Sequence, residues 1–63
     1  RKNQVQVDFN GNKVGNNRPD VQYNKDGHHY NYEVDRSATN NAAHEQVIKS
    51  NDPGSIFEGE IIK

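Results

Sequence analysis

Three carboxylates, Asp20, Glu33 and Asp35, are spaced so that a hairpin between them would gather all three on one face. Asp26-Gly27 sits midway, and Asp-Gly between two alternating runs is a strong signal for a two-residue hairpin turn. Counting out from that turn pairs Lys25 with His28, Tyr23 with Tyr30, Val21 with Tyr32 and Asp20 with Glu33. Like charges directly opposite one another are destabilising, so carboxylates placed this way call for a cation. A Mg²⁺-type ion takes oxygen ligands and needs only one or two carboxylates beside waters and phosphate oxygens. Such an ion activates water and neutralises charge on a phosphodiester. The expected ligands are Asp20 and Glu33, with the Val34 carbonyl as a further oxygen and Asp35 as accessory acid on the same face. The same acids also fit a solvated sheet face balanced by Arg18, Arg36 and nearby lysines.

The histidines add a second set of groups. His28 and His29 follow the turn, and alternation puts His29 on the carboxylate face. His44 falls in a helical stretch, where it could act as a general base or contact a phosphate. A zinc ion held by the histidines with Glu33 is also conceivable, although the spacing matches no zinc signature. Tyr23, Tyr30 and Tyr32 could stack on bases. Their place on the apolar face of the hairpin favours core packing instead. Lys and Arg are scattered, with Arg1-Lys2 the one adjacent pair, and the glycines form no phosphate-binding pattern.

The elements that must position these groups follow from periodicity. Val5, Val7 and Phe9 alternate with Gln4, Gln6 and Asp8, which predicts a strand. The hairpin spans about 19–24 and 28–35. A helix is expected over 37–50, with Ser37, Thr39, Asn40 and Asn41 all suited to cap it. Asn51-Asp52-Pro53-Gly54 stops it, and 55–63 reads as a last strand. The fold class is therefore α+β: a small β-β-β-α-β two-layer unit with a central antiparallel hairpin and one helix packed on the sheet. The helix between the last two strands allows a crossover that makes them parallel. The expected core is Val5, Val7, Phe9, Val21, Tyr23, Tyr30, Tyr32, Val34, Ala43, Val47, Phe57 and Ile61.

Composition bounds the rest. Sixty-three residues make one small domain, and only 29% are apolar, against about 45–50% in typical domains when Gly is included. Such a chain needs help to stay folded, from a metal, a partner or the rest of a larger protein. With no Cys, neither a disulfide nor a thiolate zinc site can supply it. The chain has no Met and starts at Arg1, so it is expected to be a piece, C-terminal, of something longer. No apolar run approaches the roughly 20 residues of a membrane helix. A net charge of −1 argues against bulk electrostatic binding of nucleic acid. It leaves open an enzyme that brings its positive charge as a metal ion.

The order strand, Arg18-Pro19-Asp20, hairpin, Glu33-Val34-Asp35, helix, strand resembles the core of PD-(D/E)xK nucleases, the restriction-endonuclease-like fold. The phrasing from Asn17 to Tyr23 and from Tyr30 to Asp35, with Asn51-Asp52-Pro53, also resembles C-terminal toxin tips of bacterial polymorphic toxins. These are of the Rhs, wall-associated and contact-dependent inhibition types. The resemblance covers about residues 15–62. It implies Mg²⁺ or Mn²⁺ on Asp20 and Glu33 and hydrolysis of DNA or RNA; with Asp35 as accessory acid and His44 as base or phosphate contact from the reading above, the expected catalytic set is Asp20, Glu33, Asp35 and His44. It also implies a cognate immunity protein, the remainder of a larger toxin chain, and delivery into the cytoplasm of a target cell. The family's lysine falls at position 35, which is Asp here, so either Lys49, Lys25 or Arg36 replaces the cation or the site is a variant. The alternative from another class is a non-catalytic fragment that completes its fold on a protein partner.

Overall fold

The computed structural model describes residues 2–62. Arg1 of the basic pair and Lys63 of the expected last strand lie outside the described residues. The chain is a small α+β unit with the order β1 (Val21–Lys25), β2 (His28–Asp35), α1 (Ala38–Asn51) and β3 (Ile56–Ile61). The sheet order is β1-β2-β3. β1 and β2 are antiparallel in the expected register, from Lys25 with His28 to Val21 with Tyr32. Asp26 and Gly27 both have positive φ, 52° and 79°, the backbone of a type I′ turn, whose twist matches that of the flanking strands. β3 runs parallel to β2, from Tyr30 beside Ile56 to Asp35 beside Ile61, because α1 carries the chain back across the sheet.

Ser37 starts the helix: its Oγ accepts from the Asn40 N–H at 3.1 Å. At the other end the Asp52 N–H donates to the Ile48 carbonyl. Lys49 Nζ donates to the carbonyls of Pro53 (3.4 Å) and Ser55 (2.5 Å), tying the last turn to the entry of β3. Among the described residues no helix is long and apolar enough to cross a membrane.

Two expectations are corrected. The first is the strand over Val5–Phe9. Only isolated bridges occur there, Val7 with Lys13 and Lys2 with Val21, so the order is β-β-α-β rather than β-β-β-α-β. The backbone of this segment is shared between loop partners, Gln6 N–H on the Asn17 carbonyl (2.9 Å), Asp8 N–H on that of Asn12 (2.9 Å) and Val14 N–H on that of Gln6 (3.1 Å), and one side chain. Gln22 Oε1 accepts from the Val7 N–H at 2.9 Å, and Gln22 Nε2 donates to the carbonyls of Gln4 (2.9 Å) and Val5 (3.1 Å). His29 Nε2 lies 3.0 Å from the same Oε1.

The second correction is the core. The helix packs on the hairpin face that carries Gln22, His29, Asn31 and Glu33, all buried, and the tyrosine face is left open. Of the expected core, Phe9, Tyr23, Val47 and Ile61 are exposed, Ala43 is exposed as well, and Val7 is the one buried member. The parallel register divides β3 accordingly: Ile56, Glu58 and Glu60 join Tyr30, Tyr32 and Val34, whereas Phe57, Gly59 and Ile61 face the helix. The helix accounts for the inversion. Its inward residues are Asn41, His44, Ile48 and Asn51, spaced three and four apart on one stripe, and only Ile48 is apolar. The polar members dock by hydrogen bonds: Asn41 to Asp35 (3.0 Å), Asn51 to Gln6 (3.2 Å) and to Asn17 (2.8 Å). Gln6, fully buried, donates from Nε2 to the Ile48 carbonyl at 3.1 Å. Buried polar groups are tolerable when they are bonded in this way.

Close approach is needed at Gly59. A Cβ there would lie 2.1 Å from Asn41 Oδ1, so the absence of a side chain lets the helix seat on the sheet beside Glu33. On the open face Tyr23 and Tyr30 stack with ring centroids 4.9 Å apart. Tyr23 donates its hydroxyl to Glu58 and Tyr32 to Glu60. The bond to Glu58 pushes the Tyr23 phenol up to about 12.

Two outcomes are expected from this packing. Gln22→Met keeps the length but removes every amide bond, so the Val7 N–H and the Gln4 and Val5 carbonyls lose their bonds to this side chain. At about 1–3 kcal/mol for each buried group left unsatisfied, the loss in urea unfolding is at least about 2 kcal/mol, and amide exchange at Val7 accelerates. Asn31 is fully buried and both polar atoms of its side chain lack a hydrogen-bond partner among the described residues. Asn31→Leu, near its volume, is expected to raise the melting temperature by several degrees, about 4–8 °C per kcal/mol for a domain of this size. An unchanged or lower melting temperature would show that the amide is satisfied by a ligand or solvent.

Candidate metal centre

The acids converge where the carboxyl end of β2 meets the first half of α1. Glu33 and Asp35 are two apart on β2 and point to the same side. His44 reaches them from the second turn of the helix. Its Nδ1 lies 3.1 Å from Glu33 Oε2 and 3.1 Å from Asp35 Oδ2. Asn41, one turn earlier, holds the same Asp35 oxygen by its amide. Ligand atoms from Glu33, Asp35 and His44 all lie within 4.8 Å of one another, a span that one ion can bridge. Glu33 is buried, Asp35 half-buried and His44 exposed.

Asp20 stands at the bend just before β1. Its Oδ2 accepts from the Val34 N–H at 2.8 Å, and its backbone amide favours the charged form of the Glu33 carboxyl. The side chain thus extends the hairpin beyond Val21 and Tyr32, the last pair of the ladder. All four candidate residues, Asp20, Glu33, Asp35 and His44, line a single cavity of about 390 Å³, with Asn17, Arg18, Val34, Val47 and Ile48. The three ligand atoms that converge are therefore those of Glu33, Asp35 and His44, with Asp20 as a fourth acid in the same cavity.

The electrostatics are those of crowded acids. Burial, and then the charges of Asp20 and Asp35, hold the Glu33 carboxyl above its usual range, opposed by His44 and the Asp20 N–H. The cations expected to serve the site are elsewhere. Lys49 is bonded to the Pro53 and Ser55 carbonyls, and Lys25 closes the hairpin tip. Arg36 does not line the cavity. His28 is exposed at the turn and His29 is bonded to Gln22 and Asn24, so neither joins the site. Sequence reasoning missed Asn41 and Asn17. The signal for Asn41 was its place one turn before His44, on the stripe that continues to Ile48 and Asn51. No protein-family model, curated protein or solved structure matches this chain.

The raised Glu33 carboxyl makes stability depend on pH. The native state binds this proton more tightly than the unfolded chain, whose value is near 4.5. The contribution is thus complete below that value and is lost as pH rises through the higher folded value. Glu33→Gln carries no charge at any pH. In chelator it is expected to melt above the parent chain at about pH 7, with the difference shrinking toward about pH 4. A difference that is independent of pH, or reversed in sign, would contradict the crowding.

Proposed function

We propose that this chain is a metal-dependent nuclease domain that hydrolyses phosphodiester bonds of DNA or RNA. The observation that carries the reading is the convergence of Glu33, Asp35 and His44, with Asp20, on one cavity. The donor set suits a divalent ion: two carboxylates and an imidazole, crowded enough to push a buried carboxyl up. A nitrogen donor weights the set toward Mn²⁺ over the oxygen-seeking Mg²⁺. Glu33, Asp35 and His44 Nδ1 would hold the ion, which when bound supplies Lewis acidity toward a phosphodiester oxygen.

The chain's own groups do the rest. Asn41 fixes the Asp35 carboxylate, and the Val34 N–H fixes Asp20. With Oδ2 so occupied, Asp20 Oδ1 is the acceptor for the proton that water releases. The order Pro-Asp, hairpin, Glu-x-acid, helix, strand supports a restriction-endonuclease-like core and, with it, the toxin tip of a bacterial polymorphic toxin. On that reading the partners are the rest of the toxin, a nucleic acid in the target cell's cytoplasm and a neutralising immunity protein.

A second reading, a non-catalytic fragment that completes its fold on a protein, is favoured by one observation. The sheet face bearing Tyr23 is uncovered, and Phe9, Val47, Ile61 and Ile62 are exposed. The two readings separate in an assay of RNA and DNA cleavage with Mn²⁺ or Mg²⁺. Asp20→Asn, Glu33→Gln, Asp35→Asn and His44→Ala are each expected to lower cleavage by at least about 10²-fold while the far-ultraviolet spectrum is kept. Unchanged cleavage in all four, or none by the parent chain with either ion, would end the nuclease reading.

A further inference from the structure

We propose that Arg18 is the residue that receives the substrate's phosphate, its guanidinium pairing with a non-bridging phosphodiester oxygen while the acids hold the cation. The inference rests on the nuclease reading of the cavity. Among the described residues lining that cavity, Arg18 is the one Lys or Arg, and it shares the lining with Asp20, Glu33 and Asp35. An acidic cavity repels a phosphodiester, so an anionic substrate needs a positive edge to dock against. Were Arg18 simply a counter-ion for these acids, it would be paired with one of them. Among the described residues it makes no ion pair, and its side chain is exposed.

The backbone on either side is held in place. Asn17 accepts the Gln6 N–H on its carbonyl at 2.9 Å and the Asn51 amide on Oδ1 at 2.8 Å. Pro19 is fully buried with a ring-fixed φ. Two anchored neighbours thus fix the backbone of an exposed arginine that lines the cavity and has no ion-pair partner among the described residues. Its planar fork matches two phosphate oxygens, a geometry an ammonium lacks. Arg18 is thereby a substrate-binding residue, separate from the ion-holding set.

The test compares the full chain with Arg18→Ala, Arg18→Lys and, as an exposed control outside the cavity, Arg36→Ala. Mn²⁺ binding is read by calorimetry. The affinity of short DNA and RNA oligonucleotides is read by fluorescence anisotropy in Ca²⁺ over a range of salt. Arg18→Ala is expected to bind Mn²⁺ as the parent does, yet to bind oligonucleotide about tenfold more weakly. Its slope of log affinity against log salt should be shallower by about 0.7–0.9, one phosphate contact. Arg18→Lys should recover the slope but only part of the affinity, and Arg36→Ala neither loss. Parent-like affinity and slope in Arg18→Ala, or an equal loss of Mn²⁺ binding, would overturn the inference, as would a parent chain that binds no oligonucleotide. A parent that binds oligonucleotide through Arg18 but no Mn²⁺ would uphold the inference and defeat the metal reading instead.

Discussion

One buried amide holds the amino-terminal segment to the rest of this fold. Gln22, on the helix-facing side of β1, uses its oxygen for the Val7 N–H and His29 Nε2, and its nitrogen for the carbonyls of Gln4 and Val5. Both groups of the amide are thus spent, which is the condition under which a buried polar side chain is tolerable. With that segment fixed, Gln6 is placed to meet the Ile48 carbonyl and the Asn51 amide. That second contact seats the far half of the helix, while Asn41 and His44 seat the near half on Asp35 and Glu33. The helix is therefore held at one end by a structural amide cluster and at the other by the candidate metal centre. Two polar attachments replace the apolar stripe on which a helix usually rides.

This arrangement explains which parts of the molecule were legible in its sequence. The hairpin register could be counted from Asp26-Gly27 because turn chemistry is local and fixes the pairing. The helix ends were readable to within a residue or two because caps and Asn-Asp-Pro-Gly stops are local as well. The parallel last strand was one of the arrangements that a helix between two strands allows. What failed was the assignment of inside and outside. Alternation separates Tyr23, Tyr30 and Tyr32 from Gln22, Asn31 and Glu33 correctly, but the rule that the apolar set faces the helix assumes that the helix brings apolar residues. Here it brings Asn41, His44 and Asn51 with a single Ile48. The strand expected at Val5–Phe9 is reduced to isolated bridges: Gln22 bonds the backbone of Gln4, Val5 and Val7 on one side, and the loop 12–17 bonds Gln6 and Asp8 on the other.

The candidate site was readable in the part that alternation controls. Glu33 and Asp35 share a face because they are two apart on one strand, and Asp20 comes near them because the hairpin returns it. His44 was within reach of inference because the helix crosses that face. Position 18 was harder. Arg18 precedes the strand in a loop with no period, and its proximity to the acids depends on the Asn17, Asn51 and Gln6 contacts, which span up to 45 residues of sequence. Spacing rules do not carry information of that range.

The residue that sets the breadth of the site contributes no atom to its chemistry. Gly59 lies beside Glu33 in the parallel register, and the amide of Asn41 occupies the space where any other residue would place its first carbon. Asn41 is in turn the side chain that steadies Asp35. The clearance between helix and acids is thus gauged from the outermost strand, by a hydrogen atom. An enlargement there would act as a wedge, shifting a carboxylate on the neighbouring strand with no change in charge.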